Sequence, residues 1–151
     1  MSGPPPATVG SALGLDVGSV RVGVAASDPT GTIASPLAVL PRGEPRRLWQ
    51  RLRDEASARG ATHVVVGLPR LLDGSEGEMA ADARAFADTA RRELALEVAM
   101  WDERLTTVQA ERSLIAAGER RASRRGRVDA VAAALMLQSW LDARRHAAAR
   151  G

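Results

Sequence analysis

At 151 residues, 45% of them apolar, the chain has the size of one domain and enough apolar surface for a core. It has no cysteine, and every one of its 21 basic residues is arginine. This excludes disulfides, thiolate zinc sites, cysteine nucleophiles, lysine Schiff bases and a Walker A lysine. The net charge is only +3 although the isoelectric point is near 11, and no apolar run is long enough to cross a bilayer, so a cytoplasmic location is expected.

Residues 1–11 combine proline with small residues and lack a basic segment followed by an apolar one, which predicts a disordered leader rather than a signal peptide. In 12–17, Leu13, Leu15 and Val17 alternate with Gly14 and Asp16, the period of a strand. After a tight turn at Val17-Gly18-Ser19, a second strand is expected over Arg21–Ser27 and a third, weakened by Pro36, over Thr32–Leu40. Three strands joined by short turns predict an antiparallel meander. Pro45 can open a helix with the stripe Leu48, Trp49, Leu52 and Ala56, closed at Gly60. The apolar run from Thr62 to Gly67 predicts a strand covered on both faces. Next comes a loop with Pro69 and Asp73-Gly74, and then a helix striped by Met79, Ala83, Phe86, Ala87, Ala90 and Leu94, with Ser75 and Glu78 as a capping box. Another strand is expected over Glu97–Trp101 and a helix from a Thr106/Gln109 capping box to Gly118. A basic loop then leads into a last helix from Val128 to about Arg145, with Val128, Val131, Ala132, Leu135 and Ser139 on one face. The order βββαβαβαα predicts one α/β domain over residues 12–145, a mixed sheet with helices on both faces, and a disordered tail over 146–151.

Three acids in separate segments stand out. Asp16 lies inside a strand, where aspartate is depleted. Glycines flank it on its own side, which allows a close approach of backbone or ligand. Glu103 or its neighbour Asp102 ends a strand, where ligands of open α/β sheets gather; alternation puts the two on opposite faces, and the pattern does not choose between them. Asp129 begins a helix, a position that dipole stabilisation alone would explain. Arg120, Arg121, Arg124, Arg125 and Arg127 precede it, where a phosphate backbone would need neutralising. Arg21 and Arg104 are further candidate phosphate contacts. Convergent carboxylates suit hard divalent cations. In a basic chain that combination points to phosphodiester hydrolysis.

The segments GLDVGSVRVGVAASD (14–28), VVVGLPRLLDGSEGEMA (64–80), DERLTT (102–107) and VDAVAAALMLQSWL (128–141) together resemble the YqgF/RuvX family of the RNase H-like superfamily. The resemblance implies an RNase H-like fold with a mixed five-stranded sheet. It implies Asp16, Glu103 and Asp129 as catalytic and metal-binding acids, which favours Glu103 over Asp102. It also implies a Mg²⁺- or Mn²⁺-dependent nuclease that matures the 5′ end of 16S rRNA, with Holliday-junction resolution as the alternative. Where family members often carry lysine before the final helix, this chain has arginine; Arg124, Arg125 and Arg127 are the expected substrate contacts there.

Two other classes compete. Gly-x-Asp-x-Gly also opens actin-like ATPases, but those bind nucleotide between two such domains, and this chain has the length of one. A catalytically silent RNA-binding assembly factor would share the basic surface. One Phe, no Tyr and three Trp leave little for base stacking, so recognition should rest on phosphates and shape. That suits a structured precursor rRNA or a branched DNA. The narrow, Ala-rich helical stripes suffice only to cover their own sheet, which favours a monomer over a homodimer.

Overall fold

A computed structural model describes residues 10–106 and 128–150. Five strands form one sheet in the order β3-β2-β1-β4-β5: β1 Ala12–Val17, β2 Arg21–Ser27, β3 Ala34–Pro41, β4 His63–Leu68 and β5 Glu97–Asp102. The β1-β2-β3 meander is antiparallel, whereas β4 runs parallel to β1 and β5 parallel to β4. Helices α1 (Pro45–Arg59) and α2 (Glu78–Leu94) make the connections on either side of β4, and α3 spans Val128–Arg150. The mixed α/β sheet agrees with the sequence pattern.

The alternation in β1 sorts the two cores. Leu15 and Val17 pack with Val22, Val24, Val64 and Val66 against Leu48, Trp49 and Leu52 of α1 and Phe86, Ala87 and Ala90 of α2. On the other face Ala12, Ala25 and Val65 meet Ala133, Ala134, Leu137 and Leu141 of α3. Covering a large side chain such as Leu52 or Phe86 contributes about 1.5–3 kcal/mol relative to leaving it exposed. The α3 face has small residues in the sheet, and glycine sets how near the helix comes. A Cβ on Gly14 would lie 2.8 Å from Leu137 Cβ, and one on Gly23 would lie 2.0 Å from the Asp129 carbonyl oxygen.

Four local expectations are corrected. β3 starts at Ala34 rather than Thr32, because Asp28 Oδ1 accepts from the Thr32 and Ile33 amides at 2.8 and 2.7 Å and holds them in a turn. The Ser75/Glu78 capping box does not form: Ser75 Oγ donates to Asp73 Oδ1 at 2.6 Å, and Gly77 is the N-cap of α2. The buried face of α3 is not Val128, Val131, Ala132 and Leu135. Val128 is exposed, and Ala130, Ala133, Ala134, Leu137 and Leu141 are covered instead. In a helix this rich in alanine nearly every face is apolar, so periodicity loses its power to choose a direction. The same alanines, strong helix formers, carry α3 past Arg145 to Arg150, where a disordered tail was expected. The expected helix from Thr106 to Gly118 lies outside the described residues beyond Thr106.

Other features agree with the sequence pattern. Pro45 opens α1, and Gly60 closes it in the left-handed conformation at φ 60°. Pro36 sits on β3, an edge strand, where the sheet tolerates proline. Val64, Val65 and Val66 are all fully buried, as expected of a strand covered on both faces.

Candidate active site

Asp16 lies on the α3 face of β1, next to the strand's end. Its partner across the antiparallel pair is Gly23. The missing side chain at Gly23 lets the first turn of α3 settle on the sheet, which brings Asp129 beside Asp16. Burial raises the Asp16 pKa, and the Asp129 charge adds to that rise.

Glu103 follows β5 in a single 3-10 turn, Glu103–Leu105. Gly67 of β4 pairs with Trp101. A Cβ at Gly67 would lie 2.8 Å from Glu103 Oε1, so this glycine too makes room for an acid. The turn is pinned to α3: Trp101 Nε1 donates to Ser139 Oγ at 3.1 Å, and Ser139 Oγ donates to the Leu105 carbonyl at 2.8 Å. These residues were missed as positioning groups. The available signal was a serine inside the apolar run of α3 and a tryptophan two residues before the acid.

The tertiary structure separates Asp102 from Glu103. Asp102 turns to arginine: Arg104 Nη2 donates to its Oδ2 at 2.8 Å, and Arg70 Nε stands 3.6 Å from the same oxygen. Arg104 lies foremost among the causes that hold the Asp102 pKa low. Glu103 turns to Asp16, and the two carboxyls share a hydrogen bond. Burial, followed by the Asp16 hydrogen bond and charge, pushes Glu103 up to about 8. Burial also raises Asp16, and its charge-favouring contact with Glu103 offsets this only in part. The shared hydrogen bond raises Glu103 and lowers Asp16, which makes Glu103 the donor in it.

Arg21, an expected phosphate contact, donates from Nε to Asp129 Oδ2 at 3.2 Å. With that side chain 63% exposed, it remains open to an incoming anion. Arg104 is partly exposed beside Asp102. Arg124, Arg125 and Arg127 lie outside the described residues.

Among the described residues no three His, Cys, Asp or Glu side chains stand arranged to hold a metal ion. The donor chemistry nevertheless fits a cation at Asp16 and Glu103. The two partly buried carboxyls are pressed together, and the nearby Arg21 guanidinium bonds Asp129. Both donors are hard oxygens, the set that suits Mg²⁺ or Mn²⁺.

No helix among the described residues is long and apolar enough to cross a membrane. Solved structures with the same fold include Thermus thermophilus RuvC in complex with a Holliday junction substrate, at TM-score 0.60 and 16% identity, covering 89% of this chain and 96% of that one. The yeast mitochondrial Holliday junction resolvase Ydc2 is similar at TM-score 0.51 and 12% identity, over 95% and 85% of the two chains. These likenesses show that the chain shares the RNase H-like fold of those structures. In sequence the chain is 48% identical over 139 residues to a protein of Mycolicibacterium paratuberculosis named "Putative pre-16S rRNA nuclease", covering 91% of this chain and 83% of that one. A protein of the same name from Myxococcus xanthus is 46% identical over 133 residues, 88% of each chain. The family model described as RuvX, Holliday junction resolvase, matches residues 10–143. The chain therefore belongs to the RuvX family.

Proposed function

We infer that the protein is a divalent-metal-dependent nuclease that trims the 5′ end of precursor 16S rRNA in the cytoplasm, acting as a monomer. The observation that carries the reading is the Asp16–Glu103 pair, two carboxyls held in contact with their pKa values raised. Such a pair at a strand end is costly to fold and is stabilised by a cation. The names of the relatives supply the choice of RNA.

Asp16 and Glu103 would hold Mg²⁺ or Mn²⁺, with Asp129 as the third acid. A cation held there supplies an activated water and stabilises the charge on the leaving oxygen. The other work falls to the chain's own groups. Glu103 gives up its proton when the site is loaded. Arg21 exchanges Asp129 for a substrate phosphate, which frees Asp129 toward Asp16. Arg104, Arg124, Arg125 and Arg127 hold neighbouring phosphates. Trp101 and Ser139 keep the Glu103 turn in place.

The test is cleavage of a 5′-extended 16S precursor by wild type and by Asp16→Asn, Glu103→Gln and Asp129→Asn. Each variant should lose cleavage, chelator should stop the wild type, and Mg²⁺ or Mn²⁺ should restore it. Without metal each variant should be as stable as wild type or more so, since mutual repulsion is relieved. Two variants cutting at wild-type rate would remove the assignment. The RuvC-like fold and the family description favour one alternative, resolution of branched DNA. It requires a two-fold dimer making paired, symmetric nicks in a four-way junction. Such nicks, with the rRNA left untrimmed, would replace the RNA reading.

A further inference from the structure

The large apolar side chains left exposed among the described residues, Val20, Leu71, Leu72, Met79, Leu105 and Val128, all lie at one end of the sheet. That end carries the acids: it is where β1, β4 and β5 finish and where β2 and α3 begin. Isolated exposed leucines need no explanation, but a collection around one site does.

Leu72 is the extreme case, with its side chain fully exposed. It sits at the tip of the β4–α2 loop, and this tip is held rigidly. The Leu71 amide donates to the Ser75 carbonyl at 2.9 Å, and the Gly74 amide to the Leu71 carbonyl at 2.8 Å. Gly74 adopts φ 87°, which glycine alone takes without strain. Asp73 Oδ1 accepts from the Ser75 amide at 2.9 Å. Arg70 at the base of the loop reaches Asp102 and Glu76, each at 3.6 Å, and Arg84 forks onto Glu76. A loop this heavily braced presents its apolar tip at a fixed place. The partly exposed Arg104 side chain lies beside the tip, its Nη1 3.6 Å from where a Cβ on Gly74 would stand, and the strand that feeds the loop packs Gly67 against Glu103.

None of the chain's phenyl or indole rings is offered to a base. Trp49 and Phe86 stack on each other at 4.8 Å inside the core. Trp140 is buried under Arg144, and Trp101 is engaged with Ser139. There is no tyrosine. An aliphatic side chain can still act on a base stack, by entering a step as a wedge and covering the faces it parts.

We propose that Leu72 is a wedge that inserts against an exposed base face where a nucleic-acid helix ends or branches, so that the strand beyond it is led to the acids. This deepens the nuclease reading and rests on it. It makes the protein selective for discontinuities in a duplex, with the cationic Arg104 side chain beside the tip matching a neighbouring phosphate. Leu72 is thus a specificity-determining residue and takes no part in the chemistry.

The test is binding without cleavage, in chelator, to an RNA hairpin with a single-stranded 5′ extension and 2-aminopurine in the closing pair. A second hairpin carries the fluorophore in mid-stem. Wild type should raise fluorescence at the closing pair and not in mid-stem. Leu72→Ala should lose that rise and bind the first hairpin about tenfold more weakly, the order expected for uncovering one leucine. Leu72→Met should retain both properties. Leu72→Ala should leave the melting temperature and affinity for unstructured single strand unchanged, since the side chain touches nothing in the fold. Unchanged fluorescence and affinity in Leu72→Ala would overturn the wedge while leaving the nuclease reading intact. A change of oligomeric state on sedimentation instead would make the tip a contact between copies and overturn it equally. Failure of wild type to bind any of these RNAs would remove both readings.

Discussion

Replacing Gly23 by alanine tests whether close approach of α3 builds the acidic site. The new Cβ would lie 2.0 Å from the Asp129 carbonyl oxygen, 2.4 Å from its carbon and 3.0 Å from the Ala130 nitrogen. A carbon–oxygen contact needs about 3.3 Å, so the first turn of α3 must retreat by about 1.3 Å. The obstacle is helix backbone, which cannot rotate out of the way. Overpacking of this kind costs about 1–3 kcal/mol, or about 3–10 °C in melting temperature for a domain of this size. Asp129 retreats with its helix, and a misplacement of about 1 Å at a reacting centre costs about 100-fold in rate. The assay is cleavage at 25 °C, well below unfolding, with melting followed by circular dichroism. Gly14→Ala separates the two effects. Its Cβ would press Leu137 Cβ at 2.8 Å, two turns further along α3. It should lower the melting temperature and keep most of the cleavage. Gly43→Ala meets nothing within 4 Å and should change neither. Wild-type cleavage and melting in Gly23→Ala would refute the reasoning.

The raised pKa of Glu103 has consequences for pH. The folded carboxyl keeps its proton up to about 8, against 4.5 in the unfolded chain, so the folded state binds the extra proton between these values. Without divalent ions, stability should fall as pH rises from about 4.5 to about 8, and Glu103→Gln should flatten that fall in melting curves. Divalent-ion affinity, read by titration calorimetry, should climb over the same window as the competing proton leaves. Ala95 closes α2 in the left-handed conformation at φ 53°, so Ala95→Gly should stabilise the fold by about 0.5–1 kcal/mol in urea unfolding. Replacing Arg124, Arg125 and Arg127 with alanine should weaken RNA binding and reduce its salt slope by up to about three phosphate contacts, while single-turnover cleavage at saturating RNA changes little.

The elements that local chemistry dictates are legible in the residues alone. β1 follows from alternation of Leu13, Leu15 and Val17 with smaller neighbours. α1 follows from Pro45, its apolar stripe and Gly60, and β4 from an unbroken run of valine. Each needs information only from within its own segment. Asp16 was conspicuous for a local reason too, as a carboxylate inside a strand and between glycines. What required the tertiary structure was every question of direction and pairing. Asp102 and Glu103 are adjacent acids at one strand end. Only the fold shows that Arg70 and Arg104 draw the first away while Asp16 meets the second. Ser75 could cap α2 or brace Asp73, and the loop geometry gives it to Asp73. The expected face of α3 through Val128, Val131, Ala132 and Leu135 was wrong, because a helix apolar on nearly all sides carries no preferred direction. Its orientation is set from outside, by the space that Gly14 and Gly23 leave on the sheet. A sequence records which side chains could meet. The packed backbone decides which do, because a carboxylate's partner depends on distances of a few ångströms between segments far apart in the chain.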